Sequence, residues 1–137
     1  MDIIDQYGGT PAGNSANYYA GVSYLHLGDY DKAINHLSDF SASGLVMPAM
    51  KNGALGDAYS EKQDFNQAIS YYKKAAGATD NEFVGGEYLK KLGMLQEKQQ
   101  KYGEALSTFK ELKEKYPKSV AGRDAEKLIA RVSALVN

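Results

Sequence analysis

The 137-residue chain contains no cysteine, which excludes disulfides and thiolate-ligated metal sites. It holds only two arginines and has a formal net charge of −1, so no electrostatic footprint for nucleic acid is present. No apolar run approaches the ~18 residues that a bilayer span requires. The segment Met1-Asp2-Ile3-Ile4-Asp5 lacks a basic region and a long apolar core, so it is not expected to act as a signal peptide.

Motifs for chemistry are equally scarce. His26 and His36 stand ten apart with no Cys and no H-x-x-E-H spacing, so they are expected to sit on the surface or pack within a hairpin. Ser41-Ala42-Ser43-Gly44 reads as a helix end and a turn, not a nucleophile elbow, because no strand precedes it. Gly8-Gly9 and Gly85-Gly86 lack the Lys-Ser/Thr pair of a phosphate loop. No catalytic, cofactor-binding or metal-ligating residue is therefore assigned, and no cofactor is expected.

What is present is the ordinary composition of one soluble domain, 43% hydrophobic and 24% charged. The charge is uneven. Residues 1–60 hold two Lys/Arg against six Asp/Glu, and residues 61–137 hold fourteen against eleven.

The informative feature is self-similarity. Three segments align without gaps, centred on Gly21, Gly56 and Gly93, which are spaced by 35 and 37 residues. Twelve residues after each glycine comes an alanine: Ala33, Ala68 and Ala105. An aromatic precedes each alanine by three (Tyr30, Phe65, Tyr102), and Leu37, Tyr72 or Phe109 follows by four. A further 37 residues lead to Ala130, again small. Each unit reads as two amphipathic helices joined by a short polar turn, at Leu27-Gly28-Asp29, Lys62-Gln63-Asp64 and Gln99-Gln100-Lys101. A glycine inside a helix costs ~1 kcal/mol relative to alanine, so three at one repeating position predict a close approach of the partner helix.

These residues resemble the tetratricopeptide repeat (TPR). Leu55-Gly56-x2-Tyr59 with Ala68-x3-Tyr72 matches its signature best, and Ala105-x3-Phe109 with Pro117 matches the closing half. The signature Trp is replaced by Asn17, Asn52 and Leu89, and Gln96 replaces the usual Tyr of the third unit. The resemblance implies an all-α fold, a right-handed superhelix of antiparallel helix pairs with a C-terminal capping helix. The chain is expected to form a single domain over 1–137, with repeats at about 14–48, 49–85 and 86–122 and the capping helix at 119–136. Expected helices are 11–28, 30–43, 48–62, 64–77, 81–100, 102–116 and 119–136, with Pro48 opening the third and Asp80 or Asn81 capping the fifth.

The ends echo each other. Tyr7-Gly8-Gly9-Thr10-Pro11 through Ala16 resembles Tyr116-Pro117-Lys118-Ser119-Val120 through Ala125. Thr10 and Ser119 are candidate N-caps. By this analogy residues 1–10 are expected to be the tail of a preceding truncated repeat, leaving Ile3 and Ile4 without a partner helix. The Tyr116–Ala121 link is similar to that of bacterial envelope TPR proteins, and the whole chain resembles membrane-anchored bacterial TPR proteins. This likeness implies a parent protein at the cell envelope, touching a membrane only through an upstream anchor.

The resemblance implies a protein-protein interaction scaffold, not an enzyme, binding a protein or peptide on a concave face built from first helices. The alternatives are an RNA-binding helical repeat, which the near-neutral charge disfavours, and a regulatory module of an enzyme complex. The family's chaperone-binding members grip a terminal carboxylate; the matching positions here are Tyr18, Val22, Ala54, Glu87 and Lys91. Only Lys91 keeps the charge, so that ligand is not expected. The expected groove comprises Tyr18, Val22, Leu25, Asp57, Lys90, Met94, Lys127 and Arg131, with Gly53, Ser60 and Glu97 beside them. It should be apolar at its N-terminal end and basic at its C-terminal end, to suit a segment with apolar anchors and an acidic end. Self-association, or docking of an upstream repeat, is the competing use of Tyr18, Val22 and Leu25.

Overall fold

The computed structural model describes residues 11–136. The expected helix tail with Ile3 and Ile4, and the Thr10 cap, lie outside the described residues. Seven α-helices and no strand occur among the described residues: α1 (Pro11–Leu27), α2 (Tyr30–Asp39), α3 (Met47–Glu61), α4 (Phe65–Gly77), α5 (Glu82–Lys98), α6 (Tyr102–Lys115) and α7 (Ala125–Ser133). A 3-10 turn, Gly122–Asp124, leads into α7. None of these helices is long and apolar enough to cross a membrane.

The helices form three hairpins, α1–α2, α3–α4 and α5–α6, followed by α7. Each packs on its neighbours in the chain, and the first helices also touch, α1 with α3 and α3 with α5. This is an α-solenoid of helix pairs. The repeating small residues make the pairing possible. Ala33, Ala68 and Ala105 are fully buried. A Cβ on Gly21 would stand 2.6 Å from Leu37 Cγ, and one on Gly56 2.7 Å from the Tyr72 ring. Gly93 faces Phe109 in the same way. The glycines thus admit the large residue four positions after each alanine.

Each hairpin turn contains one left-handed residue at the same repeat position: Gly28 (φ 83°), Gln63 (φ 65°) and Gln100 (φ 62°). Asp29 and Asp64 then cap the second helices, accepting from the N–H of Lys32 and of Gln67, each at 3.3 Å. The third turn has Lys101 there, with no side-chain cap. Asn81 caps α5 by accepting from Val84 N–H at 3.0 Å, and Pro48 lies in the first turn of α3.

One repeat position has been filled in three ways. Tyr24 stacks on His36 and Tyr59 on Tyr71, both at 5.4 Å between ring centres. The third copy replaces the stack with a buried hydrogen bond, Thr108 Oγ1 to Gln96 Oε1 at 2.6 Å. His36 also lies 3.1 Å from Asn17 Oδ1, so it packs within its hairpin.

Two boundaries differ from expectation. Helix α2 stops at Asp39, not residue 43, because Phe40 turns extended and buries its ring 5.1 Å from that of Tyr18. Asn14 then clamps Ser41, accepting from its N–H at 2.7 Å and donating to its carbonyl at 2.8 Å. The capping helix begins at Ala125, not residue 119. Ser119 does cap, accepting from Gly122 N–H at 2.9 Å, but what it caps is a tight turn. There Gly122 lies against the Tyr116 carbonyl, closer than a side chain would allow.

Candidate functional site

Helix α5 carries a stripe at three- and four-residue spacing: Lys91, Met94, Leu95 and Lys98. That stripe floors a depression of about 590 Å³, lined also by Ser60, Tyr72, Glu97, Tyr102, Arg131 and Leu135. A second depression of about 440 Å³ is lined by Leu25, His26, Tyr30, Asp57, Ser60, Glu61, Tyr72 and Lys91. Ser60, Tyr72 and Lys91 wall both. One groove therefore runs from the end of α1, past the C-terminal halves of α3 and α5, to the end of α7. Met94, 44% exposed, and Leu135 give it an apolar floor open to solvent.

Its electrostatics are set between repeats. Asp57 accepts from Tyr72 Oη at 2.5 Å and from Lys91 Nζ at 3.0 Å. Burial, and then the bond to the Asp57 carboxylate, push the Tyr72 hydroxyl far above its ordinary pKa. Burial, and then the charge of Asp57, push Tyr88 up to about 12. Arg131 pairs with Glu97 at 2.5 Å, and Lys90 with Asp124 at 2.9 Å. That Lys90 bond holds the Asp124 carboxyl below its usual value.

The expected basic end is thus corrected. Lys90 and Arg131 are each paired with a carboxylate one repeat away, so part of their charge is balanced within the chain, although Arg131 stays half exposed. Lys98 lies over the Phe65 ring at 5.4 Å and has no carboxylate partner among the described residues.

Of the expected groove residues, Leu25, Asp57, Met94 and Arg131 line this groove, with Ser60 and Glu97. Tyr18, Val22, Lys90 and Lys127 do not. Tyr18 packs on Phe40 and on the core of Leu37, Ala54 and Leu55. Burial, then Tyr19, raise its pKa. Truncating Tyr18 is therefore expected to weaken the fold. Gly53 is covered by the Tyr88 ring. Lys127 is exposed and outside the groove.

Lys91, Leu95, Lys98, Tyr72, Tyr102 and Leu135 were absent from the expected set. Helical spacing from Met94 points to Lys91, Leu95 and Lys98. Tyr72 and Tyr102 come from second helices, and no first-helix pattern reaches them. Among the described residues no group of three His, Asp or Glu is placed to hold a metal ion.

Tetratricopeptide repeat models match residues 15–42 and 89–119 in one form and 52–81 in another. Each match falls on one helical hairpin, and together they take in well over half of the chain. No curated protein matches it.

Proposed function

Since this chain belongs to the tetratricopeptide repeat family, we propose that it is a non-catalytic scaffold holding a protein or peptide segment along the C-terminal halves of its first helices. Repeats of this family generally mediate protein–protein interaction. The observation that carries the reading is the continuous groove, with Met94, Leu95 and Leu135 on its floor and charged side chains on its rim. An apolar centre within a polar rim is the anatomy of a recognition surface.

The internal pairing of Lys91 and Arg131 changes the partner's expected chemistry. A fully acidic segment gains little from cations already held by Asp57 and Glu97. An apolar segment with a single acid able to reach Lys98 fits better. The same pairing works against the RNA reading, since a phosphate-tracking stripe needs uncommitted cations. From the likeness of the Tyr116–Ala121 link to bacterial envelope proteins of this family we further propose that the protein acts at a bacterial cell envelope, and fractionation of source cells with an antibody to this chain tests that.

The binding reading is tested by capture of a partner from source lysate, identified by mass spectrometry and remeasured as a purified pair. Met94→Glu should abolish the purified interaction, and Lys110→Glu, on the exposed side of α6, should not. Equal loss or equal retention by both variants would remove the groove from consideration.

A further inference from the structure

A second apolar depression lies at the other ends of the first helices. It measures about 330 Å³ and is walled by Met50, Phe83, Val84, Tyr88, Val120 and Ala121. Glu87 is the one acidic or basic side chain in its lining. Phe83 is 74% exposed and Val120 63%. Single exposed apolar residues are commonplace, but a contiguous set around one concavity marks a contact surface. The depression sits at the first two turns of α5, away from the Met94 floor. On α5, Lys90, paired with Asp124, stands between Glu87 of this depression and Lys91 of the groove.

Glu87 tells what the depression accepts. A helical Glu can pair with a Lys three or four residues on, and Lys90 and Lys91 stand at those positions. Both are taken, Lys90 by Asp124 at 2.9 Å and Lys91 by Asp57 at 3.0 Å. Glu87 makes no hydrogen bond or ion pair among the described residues. It is a carboxylate left without a counter-charge on the wall of an apolar concavity.

We infer that this depression docks an apolar peptide segment carrying one lysine or arginine, with apolar side chains against Phe83, Val84 and Val120 and the cation on Glu87. A neutral apolar occupant would strip water from Glu87 and leave it unpaired. An anionic occupant, including an anionic lipid surface, would be repelled. This surface is additional to the Met94 groove and does not depend on it.

Fluorescence anisotropy with the intact chain tests the inference. The probes are a fluorescein-labelled peptide with leucines flanking a central lysine, and its twin with glutamate in place of that lysine. The lysine probe should bind about tenfold tighter or more, as expected for complementary against like charge at an apolar contact. Glu87→Lys should reverse the preference. Because Glu87 is exposed and unpaired, that variant should melt like the parent. Phe83→Ser should weaken the lysine probe, and Met94→Glu, in the other groove, should not. Equal affinity for the two probes, absence of saturable binding by either, or an unchanged preference in Glu87→Lys would overturn it. So would self-association through this surface, seen as a concentration-dependent dimer that excludes the lysine probe and is lost in Phe83→Ser.

Discussion

Lys91 on α5 reaches back to Asp57 on α3, its Nζ 3.0 Å from Oδ1 and 3.3 Å from Oδ2. The same Oδ1 accepts from Tyr72 on α4 at 2.5 Å. One carboxylate therefore ties the second helix of its own repeat to the first helix of the next. The two bonds are not equal in weight. Asp57→Ala should cost ~1–3 kcal/mol, because it leaves the buried Tyr72 hydroxyl without an acceptor. Lys91→Met removes only a half-exposed ion pair and should cost below ~1 kcal/mol. Urea titration of the two variants checks the order.

The close approach at the repeating glycines predicts a second contrast. A side chain on Gly56 meets the Tyr72 ring 2.7 Å away, within a packed interface. Gly56→Leu should therefore destabilise by ~1–3 kcal/mol or more through overpacking. Lys62→Leu, at an exposed turn where Lys62 pairs with exposed Asp31, should leave stability nearly unchanged. The same titration measures both.

The third hairpin lacks the cap that the first two possess. Lys101 stands where Asp29 and Asp64 accept a backbone N–H. Lys101→Asp should supply that acceptor, and a negative charge at the N-terminus of α6, stabilising by ~1 kcal/mol. A lower melting temperature for the variant would show that the third turn does not share the geometry of the others.

Tyr72 makes stability fall in alkali. Its folded-state pKa lies well above the ordinary value of 10.0. The unfolded chain therefore loses this proton first as pH rises. The contribution is complete below pH 10 and declines above it, at up to about 1.4 kcal/mol per pH unit for this group. Tyr88, pushed up to about 12, acts in the same direction. Tyr72→Phe should flatten the decline between pH 10 and 11 in urea titrations. An unchanged slope would mean that Tyr72 titrates alike in both states.

The hairpins were legible because their determinants are local and recur. Gly21, Gly56 and Gly93 announced their contacts with Leu37, Tyr72 and Phe109, since both members lie within one repeat. The end of α2 was not legible. It depends on Phe40 leaving the helix to reach Tyr18 on another helix, and nothing around residue 40 encodes that distance. The start of α7 was hidden for a related reason, as Gly122 is pressed against the Tyr116 carbonyl by the tight turn. Of the eight expected groove residues, half (Leu25, Asp57, Met94 and Arg131) line the groove. Its charge could not be read from the first-helix pattern, because Lys90, Lys91 and Arg131 each find a partner 34 residues away. The same charges look free along one helix and are closed across two.

Recognition along the C-terminal halves of the first helices is tested most directly by amide chemical shifts. The 15N-labelled chain would be titrated with its purified partner segment. Binding in the groove predicts perturbed amides at Ser60, Lys91, Met94, Leu95, Lys98 and Leu135, with those of Lys73, Lys110 and Glu114 on the exposed sides of α4 and α6 unmoved. Perturbation centred on Lys73, Lys110 and Glu114, with Met94 and Leu95 silent, would contradict it.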